Sequence, residues 1–276
     1  MVSTQPPGFG PVFDATRQHF LRWTPPLWGP LGAATTEISA PRPGERVLDV
    51  CCGAGSSALT AAVKVGPAGA VDGIDLSTEL LDHARTVAAQ EGLTSARFIE
   101  ADVCQYAAYR TADEPYDVVQ SVFGVFFLQP DMNGAVSRLL GLLRPGGRFA
   151  ATVWAEGSID EVGGAIFDAV RELRPNLPTS SPVSESAKSL NTEEKLRAWL
   201  GVLGLTDVEV TKIPLRVPLP AEEAWSFVLG TGLHALVIDL DEGERERVHT
   251  RYLEFLVARG ITEVRADALV GLGRRA

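Results

Sequence analysis

A glycine turn between a short apolar segment and a helix-forming segment constrains this chain more than any other feature. Residues 46–60 are RVLDVCCGAGSSALT. The apolar run at 47–50 predicts a buried strand, and residues 57–63 predict the start of a helix. Gly53 and Gly55 allow the backbone to turn sharply and to approach a ligand with no Cβ in the way. A strand, a glycine turn and a helix in this order present backbone N–H groups to a bound molecule.

Asp49, on the strand before this turn, distinguishes two kinds of ligand. The spacing Gly53-x-Gly55-x-x-Ala58 also matches the dinucleotide-binding pattern. In a dinucleotide site the turn receives a pyrophosphate, and a carboxylate so close would repel it. S-adenosylmethionine has no phosphate and carries a sulfonium and an α-amino group, both positive, so a carboxylate is favourable. Asp49 therefore favours S-adenosylmethionine, while a purely structural role in capping the turn is the alternative.

The same stretch resembles motif I of class I S-adenosylmethionine-dependent methyltransferases. The branch it resembles includes quinone-biosynthesis enzymes and many bacterial small-molecule methyltransferases. The resemblance covers residues 41–154, and residues 266–275 are similar to the last strand of that family. Cys51 is a departure, because the family usually has its first glycine there. The resemblance implies an α/β fold, with a Rossmann-like seven-stranded, mostly parallel sheet, helices on both faces, and helical N-terminal and C-terminal lid additions.

The length of 276 residues suits one α/β domain with additions, or two small domains. Residues 13–23 predict a helix near the N-terminus, and the Pro- and Ser-rich residues 175–189 predict a long loop. We expect four segments along the chain: a helical cap at 1–40, an S-adenosylmethionine-binding core at 41–155, a helical or loop insertion at 156–204, and the final strands at 205–276 with an inserted helical lid at about 219–260.

Acidic residues after successive strands predict where an adenosine would bind. Asp75 ends the second predicted strand, 20 residues after Gly55, which is the distance at which an acidic side chain meets a ribose diol. A helix N-cap is the alternative role for Asp75, although Ser77 suits that role better. The resemblance implies that Asp102 accepts a hydrogen bond from the adenine amino group. The complete predicted cofactor-binding set is Asp49, Cys51, Gly53, Gly55, Asp75, Leu76, Ala101, Asp102, Val103 and Ser121.

The methyl acceptor is expected beside the fourth strand, because ligands in open α/β sheets lie outside the carboxyl ends of the strands. Aromatic residues before the first strand either pack a helix onto the sheet or line a lid over the ligand. We expect at least one phenylalanine of residues 123–127 in the core and at least one in the pocket. The predicted pocket residues are Trp23, Trp28, Phe123, Phe126 and Phe127.

Two histidines are candidates for a general base. His19 and His234 both lie in segments assigned to the roof of the cleft, and His234 follows a glycine-containing stretch at 230–232. Imidazole titrates near neutrality, so either could take a proton from an acceptor hydroxyl. A structural role is the alternative for each histidine.

Charge and composition exclude several other classes. A net charge of −10 and a pI of about 5.0 argue against a nucleic-acid partner, which requires a basic face. The three cysteines, at 51, 52 and 104, show neither a disulfide framework nor metal-ligand spacing, so no metal is expected. No signal sequence and no apolar run of roughly 18 residues is visible, which predicts a cytoplasmic protein without a membrane partner.

The leading interpretation is a methyltransferase that uses S-adenosylmethionine and releases S-adenosylhomocysteine. It would transfer methyl to an oxygen, nitrogen or carbon of a small molecule in bacterial secondary metabolism, as a monomer or homodimer. One alternative is a protein that binds the same donor for chemistry other than methyl transfer. The other is an NAD-dependent oxidoreductase, against which Asp49 argues.

Overall fold

A computed structural model of the chain describes residues 9–109 and 114–276, so the first eight residues of the expected cap lie outside the described residues. The strands, numbered along the chain, are β1 (Arg46–Val50), β2 (Ala70–Asp75), β3 (Ala96–Glu100), β4 (Tyr116–Val122), β5 (Leu143–Trp154), β6 (Leu205–Ile213), β7 (Arg216–Pro218), β8 (Glu263–Arg265) and β9 (Ala268–Arg275).

The main sheet contains seven strands in the order β3-β2-β1-β4-β5-β9-β6. The first five run parallel, while β9 is antiparallel to both β5 and β6. Strands β7 and β8 form a separate antiparallel pair. The predicted Rossmann-like, mostly parallel seven-stranded sheet is thus confirmed.

Helices connect these strands. The α-helices of the described residues are α1 (Phe9–Asp14), α2 (Arg17–Arg22), α3 (Gly29–Ser39), α4 (Ser56–Val65), α5 (Thr78–Gln90), α6 (Val103–Tyr109), α7 (Met132–Leu140), α8 (Asp160–Leu173), α9 (Pro182–Lys188), α10 (Glu193–Val202), α11 (Ala221–Leu229) and α12 (Glu242–Ala258). A π-helix spans Thr24–Trp28, and short 3₁₀-helices span Val125–Phe127 and Gly232–Leu236. Within the described residues, these helices are all too short or too polar to cross a membrane.

Alternating side chains of the central strands pack on opposite faces of the sheet. Val47 and Val118 join an apolar cluster with residues of α4. Their chain neighbours Leu48 and Val119 join a second, larger cluster. Because successive strand residues point to opposite faces, both faces of the sheet are covered, as a buried parallel sheet requires. The central strands are therefore held from both sides.

Two local predictions were wrong. The helix expected at residues 13–23 is two helices, since Thr16 leaves the helical conformation and its hydroxyl donates back to the Val12 carbonyl over 3.2 Å. The loop expected at 175–189 contains α9, whose N-terminus is stabilised by a capping box between Ser181 and Ser184. Proline at the first helical position also favours that start, because its missing N–H is not needed there.

Candidate functional site

The glycine turn after β1 has the conformation that its sequence predicts. Gly53 and Gly55 adopt left-handed φ angles of 52° and 84°, which L-residues with side chains disfavour. A Cβ on Gly53 would lie 3.2 Å from the Phe20 ring, so α2 approaches the turn closely. Cys52 N donates to the Ile74 carbonyl over 3.0 Å, which fixes the turn against β2.

Asp49 is a fully buried carboxylate with one oxygen available. Gln120 Nε2 donates to Asp49 Oδ2 over 3.0 Å. Oδ1 has no hydrogen-bond partner among residues 9–109 and 114–276. Burial raises the pKa of Asp49 to about 6, while the nearby Ser57 hydroxyl and the Gln120 amide act in the opposite direction. A buried acceptor without a partner is costly, so this oxygen suits a cationic or N–H-bearing ligand group.

Asp75 connects the glycine turn to the end of β2. Its Oδ2 accepts from Gly53 N over 2.8 Å, and its Oδ1 accepts from Ser77 N over 2.9 Å. The helix N-cap is Ser77, whose hydroxyl accepts from Leu80 N. Each carboxylate oxygen can accept more than one hydrogen bond, so Asp75 retains capacity for a ligand diol.

Helix α1 lies on the segment that follows Asp75. A Cβ on Gly10 would lie 2.6 Å from the Leu76 carbonyl oxygen. Asp14 Oδ1 accepts from Ser77 Oγ over 2.5 Å and from Glu79 N over 3.1 Å. The Leu76 side chain nevertheless remains 44% exposed, so an apolar face is available beside the turn.

The remaining predicted cofactor residues lie at the same edge of the sheet but are engaged in the protein. Asp102 Oδ1 accepts from Cys104 N over 2.8 Å, where α6 begins at the buried Val103. Ala101 N donates to the Asp75 carbonyl over 3.1 Å. Ser121 Oγ donates to the Val50 carbonyl over 3.0 Å. These contacts fix the ends of β1 to β4 relative to one another.

Two non-glycine residues at this edge have a left-handed backbone conformation. Cys51 and Phe123, just beyond the ends of β1 and β4, have φ angles of 57° and 55°. The Cys51 thiol lies 3.9 Å from the Gly124 carbonyl oxygen, and a Cβ on Gly124 would collide with the Cys51 side chain. A left-handed conformation costs roughly 1–2 kcal/mol per residue, and such strain persists mainly at binding sites.

Aromatic rings cover the end of β4. Trp28 stacks on Phe20 with centroids 5.4 Å apart and contacts Phe123 and Trp154 edge-on or tilted. Phe123 stacks on Trp154 at 4.0 Å. Phe126 and Phe127 contact each other, and Phe127 also meets Phe13 of α1. Trp23 is separate from this group and packs edge-on against Phe227 of α11.

The two candidate histidines lie where the N-terminal helices meet the C-terminal segment. His19 Nδ1 and Ser226 Oγ are 3.2 Å apart, in hydrogen-bond contact. His234 is 7% exposed, and its Nδ1 has no partner within the described part of the chain. Its ring also hydrogen-bonds the Val12 backbone. Burial, followed by the charges of Arg245 and His19, lowers the pKa of His234.

The sequence alone did not indicate three residues of this candidate site. Gln120 is paired directly with Asp49 in the register of β1 and β4, and a glutamine within an apolar strand was the available signal. Trp154 stacks on Phe123, and this contact depends on the order of the strands in the sheet. Asp14 carried no local signal, because its partners on α5 are more than 60 residues away.

Comparisons with known proteins identify the central part of the chain. Residues 47–147 match a family described as Methyltransferase domain. Aklanonic acid methyltransferase DauC of Streptomyces sp. (strain C5) is 36% identical over 143 residues, which cover 51% of this chain and 62% of that protein. Nocamycin O-methyltransferase of Saccharothrix syringae is 32% identical over 168 residues, covering 58% of this chain and 55% of that protein.

The fold as a whole also occurs in solved structures. The [4+2]-cyclase SpnF superposes with a TM-score of 0.59 at 16% identity, covering 99% of this chain and 97% of its own. The TM-score and the coverage establish a shared fold, and an identity of 16% establishes nothing beyond the fold. The matched region spans less than two thirds of the length of the two curated relatives.

Proposed function

We propose that this chain, in which residues 47–147 form a class I S-adenosylmethionine-dependent methyltransferase domain, transfers methyl from S-adenosylmethionine to a small molecule. The observation that carries the proposal is the buried Asp49 carboxylate with an open oxygen beside the left-handed Gly53 and Gly55. The names of the two curated relatives, which are small-molecule methyltransferases, support it. The net charge of −10 favours a small molecule over nucleic acid as the acceptor.

The residues at the sheet edge fit the proposed donor. Asp49 would hold its α-amino group, Asp75 would accept from its ribose hydroxyls, and Leu76 would contact its adenine. The left-handed conformations of Gly53 and Gly55 shape the turn on which the methionine part would lie. When bound, S-adenosylmethionine supplies an activated methyl group that leaves with its electron pair remaining on sulfur.

The acceptor would lie under the aromatic residues that follow β4. The protein's main task is to hold the accepting atom in line with the methyl carbon at about 3 Å, since positioning alone contributes a large part of such an acceleration. Phe123, Phe127 and Trp28 would exclude water from that position. His234, with Nδ1 free, would take the proton that an acceptor hydroxyl loses as methyl arrives.

A protein of this fold can also perform other chemistry, as the similar fold of a [4+2]-cyclase illustrates. The second candidate is therefore donor binding without methyl transfer. An assay that incubates the purified chain with S-adenosylmethionine and candidate hydroxylated acceptors, with mass detection, separates the two. An acceptor gaining 14 mass units together with S-adenosylhomocysteine supports transfer. Unchanged donor with every acceptor, despite tight binding, supports the second candidate.

S-adenosylhomocysteine is expected to bind with micromolar affinity, whereas NAD is expected not to bind. Asp49 attracts the α-amino group of the first ligand and repels the pyrophosphate of the second. Isothermal titration calorimetry with each ligand at pH 7.5 measures both affinities. Heat from NAD and none from S-adenosylhomocysteine would contradict the proposal.

Ligand binding is also expected to slow amide hydrogen exchange in two separate segments, residues 13–28 and 221–237. They contact each other through the Arg22–Glu223 ion pair and the Trp23–Phe227 rings, and the first segment approaches the glycine turn through Phe20. Exchange monitored by mass spectrometry with and without S-adenosylhomocysteine tests this. Helix α10, on the far side of β9, provides the internal control, and unchanged exchange in both segments would argue against a roof.

A further inference from the structure

A buried chain of polar side chains leads from α3 to the Asp49 carboxylate. Ser39 Oγ donates to Gln120 Oε1 over 2.9 Å, and Gln120 Nε2 donates to Asp49 Oδ2 over 3.0 Å. All three side chains are completely inaccessible to solvent. Buried polar groups are costly unless they are paired, so this series of contacts requires an explanation beyond packing.

The direction of these hydrogen bonds determines which charge state of Asp49 they favour. An amide presents a donor on one side and an acceptor on the other, so Gln120 can face a carboxylate favourably only through Nε2. Its Oε1 must then receive a donor, and the Ser39 hydroxyl provides one. The arrangement therefore stabilises the ionised form of Asp49, because a protonated carboxyl would no longer need the N–H donor.

We infer that Gln120, oriented by Ser39, is a positioning residue that keeps Asp49 ionised and leaves its Oδ1 free for the ammonium group of the donor. The inference rests on the proposed function and assigns Gln120 and Ser39 a role beyond it. Both act through Asp49 rather than on the donor.

The groups around Asp49 explain why its ionisation depends on Gln120. The charged group that most affects Asp49 is Asp75 on β2, and its like charge raises the Asp49 pKa. Burial also raises the pKa values of the Cys51 and Cys52 thiols, so these neighbours are neutral. Two uncharged side chains face Asp49, Ser57 from α4 and Gln120 from β4, and Gln120 in turn contacts Thr36 and Ser39 of α3. Hydrogen bonding, rather than a nearby cation, must therefore support ionisation in the free protein.

The test is the affinity for S-adenosylhomocysteine between pH 5 and pH 8, measured by calorimetry. In the wild-type chain the affinity should fall as the pH drops through about 6, where Asp49 becomes protonated. Gln120→Met keeps the side-chain length and removes the donor, so the midpoint should rise by about one pH unit. Ser39→Ala should move the midpoint in the same direction by a smaller amount.

Thr35→Val is the matched control. Thr35 lies on the same buried face of α3, and its hydroxyl is 2.6 Å from Thr152 Oγ1 of β5. This variant loses an equally buried hydrogen bond between α3 and the sheet. The hydrogen bonds from Ser39 to Gln120 and from Gln120 to Asp49 are unchanged. Its stability should fall while its midpoint stays at the wild-type pH. If the role of Ser39 were purely structural, Ser39→Ala and Thr35→Val would affect the midpoint in the same way.

The outcomes are separable. A midpoint that is identical in wild type, Gln120→Met and Ser39→Ala would overturn the inference, and so would equal shifts in Ser39→Ala and Thr35→Val. If Gln120→Met does not fold, the comparison of Ser39→Ala with Thr35→Val decides. If the wild-type chain binds S-adenosylhomocysteine at no pH, the proposed function fails and the inference fails with it.

Discussion

Replacing His234 by alanine is expected to lower kcat by roughly 10²–10⁴-fold for an acceptor hydroxyl, while the affinity for S-adenosylhomocysteine stays unchanged. His234 is buried, its pKa lies below the ordinary value, and its Nδ1 has no partner among the described residues. A neutral imidazole with a free ring nitrogen can accept the proton that the acceptor loses. His19→Ala should have the smaller effect, because His19 Nδ1 already contacts Ser226.

The direction in which activity changes with pH follows from the protonation state of the base. The base must be neutral to act, so kcat/KM should fall as the pH drops through the lowered pKa of His234, below 6.5. The acid limb should disappear in His234→Ala and in His234→Gln, a second variant that retains more of the buried volume. His249→Ala is the control, since His249 stacks on Trp225 at 4.7 Å and its pKa is also lowered by burial.

Near wild-type turnover in both His234→Ala and His19→Ala would show that the histidine hypothesis is wrong. Catalysis would then depend on positioning by the aromatic residues, or on a different base. Measuring the melting temperature of each variant separates a loss of catalysis from a loss of folded protein.

Local spacing made the relative positions of Asp49, Gly53, Gly55 and Asp75 predictable from sequence. Gly53 and Gly55 are separated from Asp49 by a few residues of one strand and turn, so their relation does not depend on the rest of the fold. Asp75 ends the next strand, and parallel neighbours joined by a helix end at the same edge of a sheet. The seven-stranded sheet followed from the same local pattern together with the family resemblance.

The contacts that distant segments make with these residues could not be predicted in the same way. The contact between Gln120 and Asp49 depends on the pairing of β1 with β4, which are 71 residues apart at this position. The placement of Phe20 over Gly53 depends on the path of the N-terminal helices, and the break at Thr16 sets that path. Such contacts arise from packing between distant segments, and periodicity within one segment carries no information about them.

Asp75→Ala is expected to weaken S-adenosylhomocysteine binding by at least about a hundredfold, whereas Asp102→Ala should weaken it by less than about tenfold. Hydrogen bonds to a charged group contribute about 1.5–3 kcal/mol each, and every 1.4 kcal/mol is a tenfold change in affinity. Two ribose hydroxyls would share the Asp75 carboxylate. Asp102, which also accepts from Cys104 N and the Gln105 amide, would accept a single hydrogen bond from the adenine amino group.

The structure adds a second reason for the larger loss at Asp75. Its carboxylate accepts from Gly53 N and Ser77 N, so its removal leaves two backbone donors without their partner and releases the glycine turn from β2. Asp75→Asn separates the two contributions, because its single carbonyl oxygen can keep one of these donors while its amide repels the other. Asparagine should therefore give an intermediate affinity. Equal losses at Asp75 and Asp102, or a larger loss at Asp102, in calorimetric titrations would show that the ribose lies elsewhere.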